Sequence, residues 1–163
     1  MQKQKNEQKH KPVYVGFGSL KGGVGKSSIA EILASYLYYE KKINLFVVDC
    51  DFSQYSFFNM RERDKQSVQN GNSKPAYRIL KSTSDKALQD AENFLAKHST
   101  EKFDYVFFDL PGRADDTALV GLTVDMDYVI SPIEPDPQSL VACMTYALAV
   151  RDLGVSLTSS KIR

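Results

Sequence analysis

Apolar residues in this chain are concentrated in a few short runs, and between the runs they recur every three or four positions. Val13–Phe17, Ile43–Val48, Phe103–Phe108 and Tyr128–Ile130 are the runs. Short runs rich in β-branched and aromatic residues predict strands covered on both faces. The spaced segments predict helices. Ile29, Ile32, Leu33, Tyr36 and Leu37 stand at i, i+3, i+4, i+7 and i+8, one face of a helix after the first strand. Leu88, Ala91, Phe94, Leu95 and His98 do the same for a helix over about 84–98. Asp115 or Asp116 is placed to cap a helix carrying Ala118, Leu119 and Leu122. Pro137-Gln138 or Ser139 opens a last helix with Leu140, Met144, Ala147 and Leu148 on one face, ending near Gly154. Residues 52–75 begin with Phe52, Tyr55, Phe57 and Phe58 and then turn charged and polar, which reads as a short helix and a loop. Strand–helix alternation of this kind predicts an α/β domain: a mostly parallel sheet with helices on both faces.

Composition changes this picture little. With 163 residues, of which 42% are hydrophobic, one domain with a real core is expected. The net charge of +1 gives no strong overall attraction to nucleic acid or to an acidic membrane. Residues 1–12 differ: Lys3, Lys5, Lys9 and Lys11 against Glu7 make this segment +3, which leaves the rest at −2. Almost nothing there is apolar, so a disordered basic tail is expected before a domain over 13–163. The tail reads as solvated, with contact to DNA or a partner as the alternative. It lacks the apolar stretch of a signal peptide, and no run approaches the length of a membrane span. Cys50 and Cys143 form no C-x-x-C pair, which suits a reducing cytoplasm and neither a disulfide nor a metal role. His98, at a predicted helix end, reads as a dipole or surface residue, not a catalyst.

The chemistry lies between the first strand and the first helix, in Lys21-Gly22-Gly23-Val24-Gly25-Lys26-Ser27-Ser28. Strand, glycine-rich turn, Gly-Lys-Ser and helix is the context of a phosphate-binding loop. Glycines let backbone N–H groups close around phosphate oxygens, and the helix amino end adds its positive dipole. Gly22 to Ser28, Val24 included, are therefore the nucleotide-binding candidates. Lys26 has the reach for the β- and γ-phosphates, and the Ser27 hydroxyl suits Mg²⁺. A nucleoside triphosphate and Mg²⁺ are the cofactors expected. The second strand ends in Asp49-Cys50-Asp51 and the third in Asp109-Leu110-Pro111-Gly112. Carboxylates at the carboxyl ends of parallel strands face the crevice where ligands bind. Asp49 and Asp109 are candidate outer partners of the cation with Ser27.

Where the general phosphate loop has its first glycine this chain has Leu20, and Lys21 follows. The pattern K-G-G-x-G-K-[ST] resembles the deviant phosphate loop of the ParA/MinD family of ATPases. The strand ends D-x-D and D-x-P-G, and the segment Asp127–Ser139, are similar to further motifs of that family in the same order. Phe52-Ser53-Gln54 stands where relatives have Pro-Gln, and one proline follows Asp109 where many have two. The resemblance spans nearly all of 13–154. It implies a P-loop NTPase fold and an ATP-dependent homodimer. In that dimer Lys21 would reach the phosphates held by the partner subunit, acting as a second cation near the transferring phosphoryl group. It implies that Asp51 positions or activates the attacking water, making Lys21, Lys26 and Asp51 the catalytic candidates. It places Pro132 near the nucleotide, although the residues alone read equally as a βα connection stopped by its prolines.

The function implied is a slow, partner-stimulated ATPase that partitions, positions or transfers DNA of a plasmid, chromosome or conjugative element. Its partners would be a ParB-like or other stimulating protein and nonspecific DNA, without a membrane. A membrane-cycling MinD-like ATPase would need a C-terminal amphipathic helix, and Val155–Arg163 does not read as one. An iron–sulfur relative would need thiolates at the dimer surface, where Cys50 and Cys143 are poorly placed. A metabolic enzyme of this fold would not need Lys21, and a nonhydrolysing nucleotide-binding module is the remaining alternative. After Gly154 the α/β rhythm calls for another strand. The expectation is a chain shortened at its C-terminus, or one that has lost the family's remaining part.

Overall fold

The computed structural model describes residues 10–51, 55–67, 76–112 and 117–160. Five strands, β1 (Val13–Phe17), β2 (Leu45–Asp49), β3 (Arg78–Lys81), β4 (Tyr105–Asp109) and β5 (Tyr128–Ile130), form one sheet in the order β3-β2-β4-β1-β5. Every pairing is parallel. The helices are α1 (Lys26–Ser35), α2 (Ser56–Ser67), α3 (Ala87–Lys97), α4 (Thr117–Val124) and α5 (Pro137–Ser160), and α1 runs on into a π-helical turn over Tyr36–Glu40.

Each central strand is apolar without alternation because both of its faces are covered. One core layer joins Tyr14, Phe46, Val48, Val106 and Phe108 to Ala87 and Ala91 of α3 and Leu122 of α4. The other joins Val15, Phe17, Val47 and Phe107 to Ala30 and Ala34 of α1 and Phe57 of α2. Aromatic rings of neighbouring strands meet edge-on, Tyr14 with Phe108 at 5.4 Å and Phe17 with Phe107 at 5.1 Å. The register places Asp109 beside both Phe17 and Asp49. The chain therefore leaves β1, β2 and β4 at the same edge of the sheet, and the three candidate loops converge there. At the opposite edge Asp127 ties β5 to β1, its Oδ2 accepting the Tyr14 N–H at 2.8 Å.

Several expectations are corrected. The apolar stripe predicted to bury α1 does not do so: Ile32 is 70% exposed, and Ile29 and Tyr36 are exposed too. The helix buries Ala30 and Ala34, with Leu33 and Leu37 packed at the margin. Small residues let α1 approach a sheet surface already filled by Phe17 and Phe107. On α5 the same inversion holds, with Cys143 and Tyr146 buried while Leu140, Met144 and Leu148 are exposed. This helix also runs through Gly154 to Ser160 instead of stopping there. β3 was not foreseen, and α3 begins at Ala87, three residues later than predicted. His98 caps α3, its N–H bonded to the Phe94 carbonyl and its ring stacked on Phe94. Asp115, Asp116, Phe52 and residues 1–9 lie outside the described residues.

Candidate functional site

Four residues of the loop after β1 settle its shape. A side chain at Gly18 would collide with the Tyr146 hydroxyl, so α5 presses directly on the backbone here. Ser19 is buried, and its hydroxyl accepts the Lys21 N–H at 3.2 Å. Gly23 and Gly25 take φ of 80° and 84°, the left-handed region that a Cβ disfavours. Gly25 is the N-cap of α1, and the helix has neither a side-chain cap nor an acidic residue in its first turn. Its first-turn N–H groups are thus available to an anion, with the helix dipole behind them.

That amino end opens on a cavity of about 330 Å³ lined by Gly22, Gly23, Gly25, Lys26, Ser27, Ser28, Asp51, Ser56, Met60, Pro111 and Gly112. Nine of the residues singled out from sequence meet there. Lys26 is buried, and Gly112 is packed so tightly against the loop that a Cβ would lie 2.9 Å from the Lys26 Nζ and 3.1 Å from the Gly22 Cα. Contact between the D-x-P-G segment and the phosphate loop is therefore direct.

The carboxylates beneath the cavity differ in environment. Asp49 is fully buried, and its oxygens accept the N–H groups of Asp51 at 3.2 Å and Phe58 at 3.0 Å. It thereby positions Asp51 and the first turn of α2. Burial nevertheless pushes its pKa up. Asp109 is 1% exposed, and neither of its oxygens makes a hydrogen bond of ordinary geometry. Burial raises its pKa to about 7, although the nearby Ser27 hydroxyl and the Lys26 charge pull the other way. A buried carboxylate without partners next to a serine hydroxyl is the donor set a hard divalent cation takes.

Three residues lie apart from the cavity. Val24 is buried in the protein, and Pro132 sits in the β5–α5 connection away from the lining. Lys21 turns from the cavity to that same connection: its Nζ is 2.5 Å from the Ser139 Oγ, 3.1 Å from the Glu134 Oε2 and 3.5 Å from the Asp136 Oδ2. The hydrogen bond to Glu134 raises its pKa. Ser56 and Met60 escaped the sequence reading. Ser56 opens the helix that follows the D-x-D strand, and that position alone was a usable signal, because first turns after parallel strands border the crevice. Met60 follows one helical turn later.

The sequence model of the family described as ATPase MipZ matches residues 13–141. The chain belongs to the MipZ ATPase family. It is thus a ParA/MinD-type P-loop ATPase, as the deviant loop implied. A comparison with curated proteins gives no match. Solved structures of the same fold include a plasmid partition protein from Borrelia burgdorferi, 22% identical, with 90% of this chain covering 75% of that one at a TM-score of 0.64. A putative plasmid partition protein from Borrelia burgdorferi B31 bound to AMPPNP is 23% identical, with coverages of 88% and 70% and a TM-score of 0.62. The ParA of pNOB8 bound to nonspecific DNA is 17% identical, with coverages of 81% and 57% and a TM-score of 0.55. Among the described residues of this MipZ-family chain, no helix is long and apolar enough to cross a membrane.

Proposed function

We propose that this chain is an ATP-dependent dimerising switch that positions or moves DNA, hydrolysing ATP slowly until a partner protein stimulates it. The observation that carries the reading is the uncapped amino end of α1, which opens with Lys26 and Ser27 onto a cavity bordered by Asp51. Backbone amides from Gly22 to Lys26 hold the phosphates, and Lys26 neutralises their charge. Ser27 would hold Mg²⁺ with Asp109 as an outer partner, and the ion would supply charge neutralisation at the phosphates. Asp51 orients the attacking water. Lys21 completes the site of the second subunit. Pro111-Gly112, in contact with the phosphate loop, reports loss of the γ-phosphate and releases the dimer. That one similar structure carries AMPPNP and another nonspecific DNA supports ATP as ligand and DNA as cargo.

The test is molar mass by light scattering with Mg²⁺ and ATP against ADP, at physiological salt. A dimer with ATP and a monomer with ADP is expected. Lys21→Ala should lose the dimer while keeping nucleotide affinity within about threefold, since an exposed lysine contributes little to binding in its own subunit. Equal loss of binding and dimerisation in Lys21→Ala would remove its role in the second subunit. A monomer in both nucleotides would reduce the chain to a nucleotide-binding module.

A further inference from the structure

Lys21 is occupied on its own subunit. An ammonium has three N–H donors, and the Lys21 Nζ has three oxygens within 3.5 Å, from Glu134, Ser139 and Asp136. These acceptors are linked to one another. The Ser139 hydroxyl donates to the Glu134 Oε2 at 3.1 Å, and the Asp136 Oδ2 accepts the Ser139 N–H at 2.9 Å. Ser139 is 3% exposed, so the hub of the network is held inside the protein.

The segment is rigid for reasons visible in its sequence. Pro132, Pro135 and Pro137 restrict the backbone on either side of Glu134 and Asp136. Asp136 is the N-cap of α5, Pro137 takes the first helical position, and the capping bond to Ser139 closes the turn. The carboxylates are therefore preset, and Lys21 comes to them.

Building on the dimer reading above, we infer that Glu134, Asp136 and Ser139 form a latch that keeps Lys21 on its own subunit until a second copy of this chain offers its phosphates. Lys21 cannot give its donors to both sets of oxygens. Lys21 and its acidic partners are each about two-fifths exposed, and ion pairs at such exposure are weak. The latch thus opens when a more highly charged triphosphate competes for the ammonium, and its strength sets how much of this chain is ready to pair. Without it the lysine is released early, and dimers form at lower concentration.

Two measurements on the full chain separate the latch from the dimer switch. Glu134→Gln keeps the shape of the side chain, and Asp136→Asn keeps an oxygen for the α5 cap. Lysines are biosynthetically labelled with ¹³C and ¹⁵N, which leaves all three N–H donors of the ammonium in place, and the side-chain NMR resonance of Lys21 is identified as the one missing from Lys21→Arg. In the nucleotide-free monomer, both variants should move that resonance. With Mg²⁺ and ATP, light scattering should show the double variant half-dimeric at a concentration about threefold or more below the wild type. An unmoved resonance overturns the latch whatever the dimers do. A moved resonance with an unchanged midpoint overturns its restraining role. If neither wild type nor variants dimerise with ATP although the resonance moves, the dimer switch itself fails, and the latch then has nothing to restrain.

Discussion

Asp109 is held where a carboxylate is least comfortable, almost without solvent access and without a hydrogen-bonded partner. The strain is placed at the mouth of the phosphate loop, where a cation would relieve it. Its folded pKa of about 7 stands above the ordinary 3.8. Between those two values the folded chain therefore keeps a proton that the unfolded chain has lost. Stability is greatest below that window and falls as pH rises through it. Asp49, also raised by burial, acts in the same direction. In EDTA and without nucleotide, thermal melts from pH 5 to pH 8 should fall for the wild type, and much less for Asp109→Asn. Between pH 5 and pH 8 the Asp109 contribution to that fall is on the order of 3 kcal/mol. The same variant should lose Mg²⁺-dependent ATP binding. Equal slopes for the two proteins would show that Asp109 ionises at its ordinary pKa and that the burial argument is wrong. Gly112 is legible in the sequence as part of D-x-P-G, but its purpose lies in space, where its missing Cβ admits Lys26.

At the level of elements, what the sequence disclosed depends on how each element meets its neighbour. β1, β2 and β4 are legible because burial on both faces demands an unbroken apolar run. The face of α1 is not legible from hydrophobicity, since the residues that touch the sheet are Ala30 and Ala34, chosen for size rather than apolarity. Strong hydrophobes at Ile29 and Ile32 outweigh them in any periodicity argument while standing in solvent. β3 escaped because it is four residues long, lies at the sheet edge and has exposed Arg78 and Lys81 at its ends. The contrast can be measured by chemical denaturation. Ala30→Leu should overpack the helix–sheet contact and lower stability by about 1–3 kcal/mol. Ile32→Gln, at a site 70% exposed, should stay within about 0.5 kcal/mol of the wild type. The reverse order would mean that α1 is turned on its axis relative to the arrangement described here.

For the molecule as a whole, the strand order explains why the motifs, nearly a hundred residues apart in sequence, make one site. The order β3-β2-β4-β1-β5 puts β4 between β2 and β1. Phosphate loop, Asp51 and Asp109 thus come from three adjacent strand ends, while α1 and α2 close the cavity from one face of the sheet. The phosphate loop, D-x-D and D-x-P-G could be read individually from residue type. Their convergence needed the register, and the contribution of Ser56 and Met60 needed the placement of α2. A ligand in this cavity would bridge the phosphate loop, Asp51, the start of α2 and Pro111-Gly112, so its binding should register in global stability and not only locally. At a hundred times its dissociation constant, Mg²⁺-ATP should add about 2.7 kcal/mol. For a domain of this size that corresponds to a rise in melting temperature of roughly 5–10 °C. Lys26→Ala should abolish most of the rise, and its own nucleotide-free melting point shows whether the fold survives the change. A variant that folds normally and keeps the full rise would place the triphosphate elsewhere than on the amino end of α1.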